Sequence, residues 1–257
     1  MPNWIRFSQG AQEGFGTLEG DFVVVHEGCM FRDAKRTATL LPLSEVTLLA
    51  PTTPSKLVAL WNNFHALAEK LNLATPAEPL YFIKSPGSSL GPDGVARRPS
   101  SYDGRIVFEG ELGIVIGKTC SAVSPEEASG CIFGYTCVND LTAADLINRD
   151  SSFAQWTRAK SFDGFGPFGP TVATDIDWRG IVVRTELNGE ERQRYPVTDM
   201  VFPPPDLVSR ISHDMTLLPG DVICCGTSVG VGTMRNPRDV VEVSIDGIGT
   251  LRTTFVQ

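Results

Sequence analysis

Long apolar runs are missing from this 257-residue chain: no segment approaches the roughly 18 uninterrupted apolar residues that a membrane-spanning helix needs. The opening MPNWIRFSQG has no apolar stretch behind a basic start, so it does not read as a secretory leader. Basic residues are few and scattered, 22 Lys and Arg against 30 Asp and Glu, for a formal charge of −8. Without a clustered basic face, neither nucleic acid nor an anionic membrane surface is expected as a partner. The six cysteines (Cys29, Cys120, Cys131, Cys137, Cys224 and Cys225) form no CxxC pair and no regular framework, and are expected to be buried and reduced. Internal repeats and low-complexity tracts are absent, as are the endings that define a Walker loop or a dinucleotide-binding fingerprint. These absences leave a soluble, cytoplasmic, globular protein. Its overall field would repel an anionic substrate unless a metal ion or local basic groups drew it in.

What is present is a succession of short strand-like runs. Residues 1–50 alternate apolar runs with Gly and Asp turns and read as a small β-rich unit, closed by the linker PTTPSK. The remainder, 51–257, reads as one larger domain. KLVALWNNFHALAEKLNL passes from a strand pattern to helical spacing, and TPAEPLYFIKSPGSSLGPDG is a Pro- and Gly-rich passage carrying one strand. Further helices are expected at SPEEASGC, where Ser124 suits an N-cap and Pro125 the first helical position, at TAADLINRD, and at PDLVSRISHDM. With 18 prolines and 25 glycines, long helices have little room, so the expected class is mostly β with short helices outside the core (α+β).

The run FEGELGIVIGK places Glu109 and Glu111 two apart, on one face of an expected strand. Two like charges so close need a cation or a proton between them unless both are solvated. Asp140, at the end of GYTCVND, is a third carboxylate that a strand end can aim at the same place. Three oxygen ligands without His or Cys select a hard ion, Mg²⁺ or Mn²⁺, over Zn²⁺. Spacing alone leaves open a solvated strand face and a helix cap. RAKSFDGFGPFGP then offers Lys160 from an expected loop, a cation able to neutralise an enolate or carboxylate. LLPGDVICCGTSVGVG ends a strand in a Gly-rich turn whose backbone N–H groups, around Thr227 and Ser228, could bind an anion.

Taken in order, EGELGIVIGK, GYTCVNDLTAADL, KSFDGFGPFGP, LNGEERQRYPVTDMVF and LLPGDVICCGTSVGVG resemble the fumarylacetoacetate hydrolase family over roughly residues 52–257. The resemblance implies a rolled, mixed β-sheet fold, a homodimer, and a divalent metal on Glu109, Glu111 and Asp140. It makes Lys160 the active-site lysine, sets Thr227 against a substrate carboxylate, and has the stretch ending at Gln193 line the same pocket. Lys84, in YFIKSPG, matches a basic residue that could face the pocket. Relatives that activate water carry a His followed by Glu three positions later; here His65 is followed by Ala68, and Glu69 comes four positions on. On a helix a His65–Glu69 pair remains possible. His26, His213 and the Arg97–Arg98 pair read as structural or solvated residues. The expected reaction is metal-dependent hydrolysis of a C–C bond in a small anionic acylpyruvate- or fumarylpyruvate-type oxo acid, with His65 and Glu69 activating water. The alternative is decarboxylation or isomerisation of a dicarboxylic 2-oxo-enoate from aromatic ring cleavage.

Overall fold

A computed structural model describes residues 2–257. The chain opens as a meander of β1 (Asn3–Gln9), β2 (Gln12–Glu19), β3 (Phe22–Glu27) and β4 (Lys35–Pro42), followed by β5 (Thr47–Leu49). Next come β6 (Leu57–Trp61), α1 (His65–Leu71), β7 (Leu80–Lys84), β8 (Ser89–Leu90), β9 (Gly94–Arg97), β10 (Ile106–Phe108) and β11 (Gly110–Ile116). The middle holds α2 (Pro125–Ser129), β12 (Ile132–Asn139), β13 (Thr142–Ala143), α3 (Trp156–Lys160) and β14 (Gly166–Ala173). The last part is β15 (Val182–Leu187), β16 (Glu190–Pro196), α4 (Pro204–Asp214), β17 (Val222–Cys224), β18 (Gly232–Met234), β19 (Arg238–Ile245) and β20 (Gly249–Val256).

The expected strand-rich class holds. A 12-stranded mixed sheet runs β4-β3-β2-β1-β14-β12-β11-β17-β6-β7, with β5 and β8 attached at β1 and β14. Two smaller sheets, β13-β10-β18 and β16-β15-β19-β20-β9, roll against it. Strands β11 and β12 are buried on both faces along nearly their whole length, covered from either side. The N-terminal meander keeps its own small cluster of Ile5, Phe7 and Val23, and its first strand pairs with β14, so its ladder continues into the main sheet.

Local chemistry accounts for several boundaries. Helix α2 begins with a full capping box, the Ser124 hydroxyl accepting from Glu127 N and the Glu127 carboxylate from Ser124 N. Helix α1 starts where the apolar period changes at Phe64 and ends at Asn72 in the left-handed region. Asn188 and Gly189, at φ 55° and 79°, make the two-residue turn that such an Asn-Gly pair favours between β15 and β16. The Asn188 side chain then bonds Val240 and Asp239, pinning this hairpin to β19.

One expected helix and one expected loop differ. TAADLINRD gives a two-residue strand and a short 3₁₀ turn (Ala144–Leu146), because Ile106 and Val107 of β10 recruit Ala143 and Thr142 into a ladder. RAKSFDGFGPFGP is a loop only over residues 161–165: Lys160 closes α3, and Gly166 already belongs to β14.

The segment 51–56 is fixed by one buried carboxylate. Asp221, fully buried, accepts from Ser55 N and Oγ, Lys56 N and Leu218 N, and forms an ion pair with Lys56 at 2.6 Å. These bonds set β6 parallel to β17 in the register Leu57↔Val222. Asp221→Ala leaves those donors without their acceptor, so we expect a loss of about 3–5 kcal/mol in urea unfolding. A loss below about 1 kcal/mol would mean that the linker is held by packing instead.

Candidate active site

The chain changes sheets at Glu109. β10 lies in the three-stranded sheet and β11 in the large one, so Glu109 occupies a break between two strands and does not share a single strand with Glu111. The expected same-face pair is therefore produced by a sheet crossover. Glu109 O accepts from Asp140 N at 2.8 Å, which ties the end of β12 to the crossover. Strand β17 pairs with β11 only from Gly113 to Val115, which leaves the outer edge of Gly110 to side chains. Gln193 Oε1 accepts from Gly110 N at 3.0 Å, while Tyr195 OH and Thr227 Oγ1 both donate to Gly110 O, at 2.6 and 2.9 Å. A Cβ at Gly110 would overlap the Thr185 hydroxyl, so this close approach requires glycine.

Carboxylate oxygens of Glu109, Glu111 and Asp140 lie within 4.8 Å of one another. Glu111 and Asp140 are fully buried, and the Glu109 side chain is 16% exposed. Lys160 Nζ bridges Glu109 (2.8 Å) and Asp140 (2.6 Å). Lys84, also fully buried, forms an ion pair with the other Asp140 oxygen and donates to Phe165 O at 3.0 Å. Three carboxylates thus face two ammonium groups, an excess of one negative charge in a dry site.

Electrostatics follow from that excess. Burial, reinforced by Asp140 and Glu109, pushes the Glu111 carboxyl well above the usual carboxylate range. Burial also raises Glu109 despite Lys160 beside it. Asp140 goes the other way: burial alone would raise it, but Lys160 and Lys84 bring it below the ordinary value. For Lys160, burial is outweighed by Asp140, Glu109 and Glu111, which hold the ammonium above the lysine range.

Glu111 Oε2 accepts from Gly226 N at 2.9 Å, whereas its Oε1 is buried with no hydrogen-bond partner. An orphaned carboxylate oxygen beside two more carboxylates is a donor set that fits a hard divalent cation. Thr142 donates to Glu109 Oε1 at 2.9 Å and so orients that carboxylate.

The other expected site residues distribute as follows. Thr227 is buried, its hydroxyl donating to Gly110 and accepting from Gln193 Nε2 at 2.9 Å, so both residues brace the site floor. Ser228 is buried with an unpartnered Oγ. Lys84 stands behind Asp140 with no exposed surface. His65 and Glu69 are both exposed on α1, and among the described residues no hydrogen bond or ion pair joins them. The segment leading into the helix is tied to the turn after β17, since Asn63 Nδ2 donates to Cys225 O at 2.9 Å. Sequence reasoning missed Thr142 and Tyr195, although each lies two residues beyond a named one, Asp140 and Gln193.

The architecture and this buried carboxylate–lysine centre define an enzyme fold with an acidic metal-type site. The chain belongs to the fumarylacetoacetate hydrolase family: residues 56–256 match the family described as fumarylacetoacetate (FAA) hydrolase C-terminal. Residues 3–51 match the one described as Rv2993c-like, N-terminal. The oxaloacetate tautomerase YisK of Bacillus subtilis is 36% identical over 251 residues, 91% of this chain and 82% of that protein. The 2-hydroxyhepta-2,4-diene-1,7-dioate isomerase of Mycobacterium marinum superposes with a TM-score of 0.90 at 36% identity, covering 100% of this chain and 98% of that one. A fumarylacetoacetate hydrolase of Exiguobacterium antarcticum gives a TM-score of 0.84 at 30% identity, covering 100% and 99%.

The charge excess makes a pH prediction. Glu109 and Glu111 titrate higher in the fold than in the unfolded chain, so their protons favour the metal-free fold. That contribution is complete below the ordinary carboxylate pKa and fades as pH rises through the raised values. Asp140 acts oppositely, its contribution lost only as pH falls below the ordinary range. The Tm of metal-free protein should fall as pH rises above the ordinary carboxylate range, and the Tm gain from Mg²⁺ should grow over the same rise. Glu111→Gln should flatten both trends. A Mg²⁺ gain that is equal at both ends would contradict the site.

Proposed function

We propose that this enzyme moves a proton within a small dicarboxylic 2-oxo acid, as an enol–keto tautomerase or double-bond isomerase assisted by Mg²⁺ or Mn²⁺. The observation that carries the reading is the pairing of a buried three-carboxylate centre with a charged Lys160, while His65 and Glu69 stand exposed and apart. Hydrolysis of a C–C bond, the first expectation from sequence, needs a group that activates water. Tautomerisation and isomerisation do not, and the tautomerase and isomerase named among the similar proteins support them.

Glu109, Glu111 and Asp140 would hold the metal, which when bound supplies Lewis-acid polarisation of the 2-oxo oxygen. Lys160 Nζ carries a fixed positive charge against the carboxylates, placed to offset the negative charge of a substrate enolate, formed when a C–H or O–H proton passes to solvent water and discharged when water returns a proton at the other end. Lys84 keeps Asp140 ionised and oriented from behind. Gln193, Tyr195 and Thr227 hold the Gly110 backbone so that the carboxylates on either side of it keep their aim. Burial of Glu111 and Asp140 excludes water from the inner wall, which strengthens each of these interactions.

Loss of enol absorbance from oxaloacetate, followed with Mg²⁺ present, checks the reading. Lys160→Met should lower the rate by about 10²-fold or more, and His65→Ala should leave it within about threefold. Release of pyruvate and a free acid from an acylpyruvate, abolished by His65→Ala, would establish the hydrolase instead.

A further inference from the structure

Lys160 sits at the end of a helix that cannot hold its own shape. Helix α3 has five residues, and Gln155 at its N-cap makes no capping side-chain bond among the described residues. A helix so short gains its order from packing. Its first and last residues, Trp156 and Lys160, are four apart and so lie on one face. That face rests on β7. The Trp156 ring stacks on Phe82, with ring centroids 5.4 Å apart and planes 17° from parallel. Lys160 Nζ stands over the same Phe82 ring, 5.4 Å from its centroid, within cation–π range.

The Phe82 ring is on the carboxylate side of the sheet. Phe82 and Lys84 are two apart on β7 and share a face, where Lys84 pairs with Asp140 and Phe82 meets Lys160. The β6–β7 ladder pairs Ala59 with Phe82 and Trp61 with Leu80, which puts Trp61 on that face as well, its ring 5.0 Å from Trp156. Phe82 and Lys160 are buried, whereas Trp156 and Trp61 are half-buried, so the aromatic row runs outward from the centre. One residue past each lysine, Ser85 N donates to Ser161 Oγ at 2.9 Å and joins the ends of β7 and α3.

We propose that Trp156 is a positioning residue: by holding the Phe82 ring it sets where the Lys160 ammonium stands. The kinetic consequence rests on the role given to Lys160 above. Two of the three ammonium N–H groups go to Glu109 and Asp140. The ring attracts the charge from another side without taking a hydrogen bond, which leaves the third N–H for a substrate oxygen. Without the indole behind it the ring is free to turn, and the two carboxylates draw the ammonium towards themselves. A displacement of about 1 Å in such a group can cost up to about 10²-fold in rate.

Trp156→Leu and Trp156→Phe, both Mg²⁺-loaded, are compared with the parent for kcat and KM on oxaloacetate. In the same proteins, labelled with ¹³C-lysine, the ε-methylene signal of Lys160 is identified by its loss in Lys160→Met. In the parent the Phe82 ring current should hold that signal upfield of the ordinary lysine position. Trp156→Leu should lower kcat by about tenfold, leave KM and Mg²⁺ affinity within about twofold, and move the signal towards the ordinary position. Trp156→Phe keeps a ring against Phe82 and should recover most of both. An unshifted Lys160 signal in the parent overturns the assignment, as does a Trp156→Leu protein in which kcat falls with the signal unmoved, the signal moves with kcat unchanged, or KM alone changes. A parent protein inactive on oxaloacetate overturns the proposed reaction alone, while the Lys160 signal in parent and variants still decides the role of Trp156.

Discussion

The excess of negative charge among Glu109, Glu111 and Asp140 is the constraint around which the molecule is arranged. Buried charge without a partner costs several kcal/mol, and a fold tolerates it only where neighbouring groups or a bound ion offset it. Lys160 and Lys84 offset two of the three carboxylates and leave Glu111 Oε1 unpartnered. The same imbalance that raises Glu111 gives the centre a donor set that could hold a divalent cation. Function and frustration at this position have one cause.

Holding like charges together demands a rigid backbone, and the sheets provide it. The crossover at Glu109 lets two carboxylates two residues apart meet a third from β12, with the Asp140 N–H locked to the Glu109 carbonyl. Where β17 stops short of Gly110, three side chains from β16 and the 226–232 turn take over the backbone bonds. Gln193 and Thr227 are thus architectural as well as local to the site. The Asn188–Gly189 turn sets the register of β16 on β15, and with it the position of Gln193.

Much of this was legible in the sequence, and the reasons are local ones. The apolar switch from LVALW to HALAEKL marks β6 and α1, Ser124 and Pro125 mark α2, and strand-like runs mark β15 and β19. The i, i+2 spacing exposed Glu109 and Glu111 as a pair. What stayed hidden depends on distant partners. Lys84 reads as a pocket-facing lysine, and only the fold puts it behind Asp140. TAADLINRD carries a helical pattern that the ladder with β10 overrides. No local signal tells that β1 will pair with β14, or that Tyr195 will reach Gly110 across 85 positions of sequence.

If the buried carboxylates hold a divalent metal, Glu109 and Glu111 must shed protons to bind it. Calorimetric titration of metal-free protein with Mn²⁺ near pH 6, repeated in buffers of different ionisation enthalpy, tests it most directly. The account predicts one ion per chain with net proton release, both lost in Glu111→Gln. Binding without proton release that survives Glu111→Gln would place the ion elsewhere and contradict the account.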